Sequence, residues 1–128
     1  MAKHITTGQT GEDLACEYLV GKKYKILERN YRRPYGEIDI VVKAFDQALV
    51  FVEVKTLTGL DDSRVGLVAE DHLNQAKLIK FRRICEAYVA AKPELINEKK
   101  GWRMDLIAVA VNPQSEEKPK LRHYENIG

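Results

Sequence analysis

Cysteine and histidine are scarce in this chain, with two Cys and three His in 128 residues. Cys16 and Cys85 form no CxxC pair, and both fall in helical-looking segments. Two unpaired, buried thiols are therefore expected. His4, His72 and His123 have no ligand spacing with either cysteine, which argues against structural zinc. Long apolar runs are missing too: none approaches the roughly 20 residues that a membrane-spanning helix needs. Met1 to Gln9 lacks the apolar stretch of a secretory signal, so the expected compartment is the cytosol, with no membrane partner. Net charge is only +2, from 21 Lys and Arg against 19 Asp and Glu. Such a balance does not by itself point to nucleic acid, which this chain could bind only by concentrating its charges on one side. No internal repeat or low-complexity segment interrupts the sequence.

What is present suits one hydrophobic core. Apolar residues make up 45% and charged residues 31%, as expected of a single domain over 1–128, with a core at about 7–111 and a short C-terminal extension. Thr10 to Val20 has a helical pattern, with Thr10 as N-cap, Asp13 as its capping-box partner and Gly21 as the stop. Tyr24 to Arg29 reads as a short strand, and Asn30 to Gly36 as a turn broken by Pro34 and Gly36. Ile38 to Lys43 and Leu49 to Lys55 are strong strand signals, apolar on both faces, joined by a hairpin loop from Ala44 to Ala48. Thr56 to Val68 reads as a mobile loop. A long helix from about Glu70 to Ala91 ends at Lys92-Pro93. Met104 to Val111 is a further strand, and Leu121 to Tyr124 a short last one. The expected fold is α/β, a small mixed sheet flanked by helices in the order α-β-β-β-α-β.

The chemistry is concentrated in the hairpin. Strict alternation puts Glu37, Asp39, Val41 and Lys43 on one face, and Leu49, Phe51, Glu53 and Lys55 likewise. Folding about Asp46 sets Val41 opposite Phe51, Asp39 opposite Glu53 and Glu37 opposite Lys55. Two carboxylates directly opposite repel unless something compensates. Mg²⁺ is typically held by one or two carboxylates, waters and phosphate oxygens. Lys55, beside such a pair, can orient a water or stabilise charge developing on a phosphate. Glu53-x-Lys55 taken alone reads as an exposed strand face with cross-strand ion pairs; with Asp39 facing it, the two readings stand even.

Two helices bear on the choice. Gly8, Gly11, Ala15, Tyr18 and Leu19 form the less polar side of the first helix, and Glu12 falls within that stripe. A carboxylate facing the sheet needs a partner; a first-turn acid favoured by the helix dipole is the alternative. In the long helix, Leu78, Phe81, Ile84, Cys85, Tyr88 and Val89 define a core face. One turn earlier that face carries Asn74 and Lys77, so the helix start presents polar groups on the core side. The run Lys80, Arg82, Arg83 and Glu86 reads as a solvated flank.

The strings Gly36-Glu37-Ile38-Asp39-Ile40-Val41 and Phe51-Val52-Glu53-Val54-Lys55 resemble the PD-(D/E)XK motif of restriction-endonuclease-like nucleases. With Gly11-Glu12-x-x-Ala15 and Arg103-x-Asp105-x-Ile107, the chain resembles the small bacterial YraN-like family within that superfamily, from Thr7 to about Val111. The resemblance implies a restriction-endonuclease-like core with Asp39 and Glu53 as ligands of Mg²⁺ or Mn²⁺, Lys55 as the catalytic lysine and Glu12 as a helix-borne acid of the site. Archaeal Holliday junction resolvases are similar in this respect, and a homodimer is expected by analogy with them. Two positions depart from the pattern: Ile38 stands where the motif expects Pro, and Leu57 where YraN-like sequences tend to carry a basic residue.

The leading expectation is a metal-dependent nuclease hydrolysing DNA phosphodiesters, with branched or damaged DNA as substrate. The cations expected nearest the site are Arg32, Arg33, Lys77 and Arg103, each beside a motif strand or on the polar start of the long helix. The alternatives are a non-catalytic nucleic-acid-binding module on a nuclease scaffold, and a protein-interaction domain in which Asp39, Glu53 and Lys55 form only an ion-pair network.

Overall fold

The structure, a computed structural model, describes residues 7–58, 74–112 and 118–128, with side chains from Thr10 onward. The elements are α1 (Thr7–Gly21), β1 (Lys25–Arg33), β2 (Gly36–Lys43), β3 (Leu49–Thr58), α2 (Gln75–Ala91), β4 (Trp102–Val111) and β5 (Lys120–Tyr124), with a short 3₁₀ turn at Pro93–Leu95. The mixed α/β architecture expected from the sequence is present. The strands form one sheet in the order β1-β2-β3-β4-β5. Neighbours are antiparallel except β3 and β4, which run parallel, with α2 in the connection between them. Among the described residues, no helix is long and apolar enough to cross a membrane.

Each face of the sheet buries its own core. Ala15 and Leu19 of α1 pack on Ile40, Val42, Val50, Val52, Ile107 and Val109. On the other face, Phe81, Ile84, Cys85 and Tyr88 of α2 pack on Val41, Leu49, Phe51 and Met104. Burying side chains of this size contributes about 1.5–3 kcal/mol each, which explains why β2 and β3 read as apolar on both faces. Cys16 and Cys85 are free thiols, Cys85 buried and Cys16 half-buried.

Several boundaries differ from the sequence reading: β1 runs on to Arg33 through most of the stretch read as a turn, and β2 begins at Gly36, so only Pro34 and Tyr35 separate them. α1 already includes Thr7, so Thr10 lies inside the helix and is not its N-cap. Glu12 consequently sits beyond the first turn, which removes the helix-dipole explanation for it. Gly21 does not stop α1 by a left-handed turn; Lys23 takes that conformation, with φ 72°. The Tyr24 N–H donates to the Leu19 carbonyl and the Lys23 N–H to that of Val20, the paired bonds of a Schellman ending. The segment read as a loop from Thr56 begins inside β3, which extends to Thr58; its remainder lies outside the described residues. Positions 70–73, where the sequence reading began the long helix, lie outside the described residues too; α2 begins at Gln75, with Asn74 as its N-cap accepting from the Lys77 N–H.

Candidate active site

The hairpin pairs as folding about Asp46 requires, with Lys43 opposite Leu49, Val41 opposite Phe51 and Ile40 opposite Val52. There the β2–β3 ladder ends. Asp39 and Glu53, the next pair in register, are not joined through the backbone. Alternation also breaks at this point: Ile40 is buried on the α1 face, yet Ile38 is buried on the α2 face with Val41. Asn30, opposite the break on β1, adopts φ 54°. The expectation that Glu37, Asp39, Val41 and Lys43 share one face therefore fails, because β2 rotates as it leaves β3. Glu37 pairs with Arg32 of β1 at 3.4 Å instead of facing Lys55.

The rotation leaves the Val54 N–H without a β2 carbonyl, and the Asp39 side chain takes it, Oδ2 accepting at 2.7 Å. Burial pushes the Asp39 carboxyl up to about 7, against the Val54 hydrogen bond that favours the ionised form. Glu12, Glu53 and Glu37 add to the rise by repulsion. These acids thus feel one another electrostatically. They do not close into a tight ligand group: Glu12, Asp39 and Glu53 are not all within 4.8 Å of one another.

Glu12 is brought here by the close approach of α1 to β3. A Cβ on Gly11 would collide with the Thr56 hydroxyl, so only glycine allows this contact. The Glu12 side chain is 19% exposed, with Arg29 3.6 Å away. Its Oε1 is buried and has no hydrogen-bond partner, whereas Arg29 bonds Asp13 at 2.8 Å. A buried carboxylate oxygen held by no hydrogen bond and only a 3.6 Å ion pair to Arg29, beside a raised Asp39, fits a divalent cation in its donor chemistry: hard oxygen ligands that carry negative charge. Lys55 is half-buried on β3, two residues beyond Glu53.

Glu53 also lines a cleft of about 500 Å³. Arg32 and Arg33 from the end of β1, Lys77 and Lys80 from α2, and Glu37 surround it, over Phe81 and Ile84. Three of the four expected cations thus gather beside Glu53. Lys80, assigned above to a solvated flank, joins them. Asp39 and Lys55 are not among the lining residues.

Arg103 does not belong to this group. It pairs with Val50 in the β3–β4 ladder, three positions from the Glu53 pair, and its side chain is committed elsewhere. Its guanidinium bonds Asp105 at 3.0 Å and the Tyr24 hydroxyl at 2.8 Å, with Glu125 at 3.5 Å. The reason is Asp105, a wholly buried carboxylate. His123 Nε2 lies 2.7 Å from it, and the Asn126 N–H donates at 3.0 Å. A carboxylate only accepts, so Nε2 is the donor; in the neutral ring, Nδ1 then accepts from the Tyr18 hydroxyl at 3.0 Å. Burial alone would raise the Asp105 carboxyl, but the bonds from His123, Asn126 and Arg103 bring it below its ordinary value. Asp105, His123 and Glu125 do lie within 4.8 Å of one another. The Arg-x-Asp spacing on one strand was the available signal for the first half of this cluster; nothing in the sequence marked His123.

The two departures from the motif are explained by packing. Ile38 is fully buried against the α2-side core, and Leu57 is buried with Leu106 and Ala108, where a basic head group would lose its water.

Comparison with known proteins gives a consistent result. The model of the Uncharacterised protein family UPF0102 matches residues 11–109. The UPF0102 protein TTE1452 of Caldanaerobacter subterraneus subsp. tengcongensis is 38% identical over 124 residues, covering 94% of this chain and 93% of that protein. The UPF0102 protein Rv2898c of Mycobacterium tuberculosis is 35% identical over 129 residues, covering 97% and 93%. A Mycobacterium ulcerans UPF0102 protein is 34% identical over 125 residues, covering 94% and 93%. The matched stretch carries Glu12, Asp39, Glu53 and Lys55 together, and this chain belongs to the UPF0102 family, the YraN-like group that its motifs resemble.

Proposed function

We propose that this protein is a metal-dependent nuclease that hydrolyses DNA phosphodiester bonds at the opening between β2 and β3. The observation that carries the reading is the concentration of carboxylates there. Asp39 is raised to about 7 among three other carboxylates, and Glu12 keeps a buried oxygen without a hydrogen bond. A protein-interaction domain would gain nothing from such a concentration of like charge.

Asp39 and Glu53 would hold Mg²⁺ or Mn²⁺, which when bound supplies charge neutralisation for the phosphate and acidity for an attacking water. The Asp39–Val54 bond fixes the carboxylate at the strand opening, so its ligating oxygen needs no reorganisation. Lys55, on the Glu53 side of β3 by alternation, contributes an ammonium that orients water or stabilises charge growing on a phosphate oxygen. Glu12 adds a carboxylate that can accept a proton from that water. Arg32, Arg33 and Lys77 beside Glu53 supply the positive surface that a DNA backbone requires.

The test is cleavage of end-labelled duplex, flap, four-way-junction and single-stranded DNA with Mg²⁺ or Mn²⁺. Asp39→Ala and Glu53→Ala should abolish cleavage while the fold survives, and Lys55→Ala should lose turnover but keep metal binding. Cleavage that persists in the Asp39 and Glu53 variants would assign the activity to another site.

A further inference from the structure

Glu12 shares its only cationic neighbour with Asp13. Alternation along β1 turns Glu28 toward α2, where it bonds Tyr88 and Lys92, and turns Arg29 toward α1. Glu12 lies nearly one turn before the buried Ala15 and so faces the sheet. Asp13, about 100° further round the helix, reaches the rim. One guanidinium nitrogen of Arg29 stands between the two acids. It donates to Asp13 Oδ1 at 2.8 Å and lies 3.6 Å from Glu12 Oε1. The second distance is roughly 0.5 Å beyond hydrogen-bonding range. The rim acid thus takes the bond, although its side chain is 58% exposed against 19% for Glu12. The buried Glu12 oxygen is left with no hydrogen bond at all. The Arg29 guanidinium is held above its ordinary value chiefly by the Asp13 bond, with Glu12 the least of its charged neighbours.

We propose that Asp13 is a positioning residue for the site: by binding Arg29 at the rim, it keeps the inner oxygen of Glu12 open to a divalent cation held at Asp39. Without Asp13 the guanidinium closes on Glu12, neutralises it and occupies that oxygen. Arg29 is then a built-in competitor of the cation, and Asp13 the latch that holds it back. The inference rests on the nuclease reading for the task of Glu12, but the latch itself can be measured without metal or DNA.

The experiment is calorimetric titration of Mn²⁺ into the full chain, for the parent, Asp13→Ala, Arg29→Ala and the double variant. Asp13→Ala should weaken Mn²⁺ binding about threefold, the scale of a part-exposed ion pair. Glu17→Ala removes an exposed charge one turn further along α1 and controls for charge alone. In the Arg29→Ala background, Asp13→Ala should weaken binding no more than Glu17→Ala does, since no guanidinium remains to close. Equal weakening by Asp13→Ala with and without Arg29, or none, overturns the proposal. A second measurement is made in metal-free buffer. Urea unfolding gives the loss of midpoint caused by Arg29→Ala, in the Glu12 protein and in Glu12→Gln. The gap between those two losses should widen when Asp13→Ala is added, because the released guanidinium then pairs with Glu12. A gap that does not widen overturns the latch, even where Mn²⁺ binds. A gap that widens in a parent that binds no Mn²⁺ supports the latch and removes the metal reading. Circular dichroism verifies that each variant folds.

Discussion

Asp39 and Asp105 are both carboxylates on central strands, and the protein treats them in opposite ways. Asp105 is wholly buried, yet Arg103, His123 and the Asn126 N–H surround it with donors, and its carboxyl lies below its ordinary value. Asp39 is less buried but has the single Val54 N–H against Glu12, Glu53 and Glu37, and its carboxyl rises to about 7. A group supplied with every partner it needs serves the fold: Asp105 joins β4 to β5 and, through His123 and Tyr18, to α1. A group deprived of partners raises the free energy of the folded state, and such a cost persists where it serves a function.

The comparison can be broken first at Asp105. Removing one member of a buried ion pair leaves its partners uncompensated and costs about 3–5 kcal/mol. Asp105→Ala should therefore give the largest loss of stability, read by urea unfolding, with Arg103 and His123 stranded. A loss below about 1 kcal/mol would show that the network is not structural. Gly11→Ala is expected to be smaller, about 1–3 kcal/mol by overpacking against Thr56. It should also push Glu12 away from Asp39, reducing cleavage more than stability. The smallest effect concerns Asp39 itself. Its folded value lies above the unfolded carboxylate value near 4. The folded protein therefore holds a proton that the unfolded chain has lost, and stability should fall as pH rises from about 4 to about 7, then level off. Asp39→Asn should abolish that slope and be more stable above pH 7, by less than the ~4 kcal/mol that a rise from about 4 to about 7 sets as its ceiling, because solvent screens a part-buried group. A variant with the parent's pH profile would mean that Asp39 is not strained.

Much of the fold was legible because apolar pattern and strand register are local properties. Val41 opposite Phe51 follows from hairpin length, and the Phe81, Ile84, Cys85 and Tyr88 face of α2 from helical spacing. The rotation of β2 at Asp39 was not legible, since strict alternation is the only rule a strand sequence offers. The conformation of Asn30, on a different strand, accompanies the break. Arg103 was misplaced for a related reason. A cation beside a motif strand looks available for phosphate until the tertiary structure brings Tyr24 and Glu125 onto it, from positions far apart in sequence. The Asp105–His123 pair likewise depends on β5 docking beside β4.

The claim that Asp39's charge is there to hold a cation is tested most directly by titrating Mn²⁺ or Mg²⁺ into the protein in calorimetry buffers at pH 6 and pH 8. Binding requires the carboxylate, so a group near 7 must give up its proton when the ion binds. The account predicts release of about one proton per ion at pH 6 and about a tenth of that at pH 8. Stability should rise by about 2.7 kcal/mol at a hundredfold excess over Kd. Asp39→Asn should show neither effect. A parent that releases no protons, and whose melting temperature ignores both ions, would contradict it.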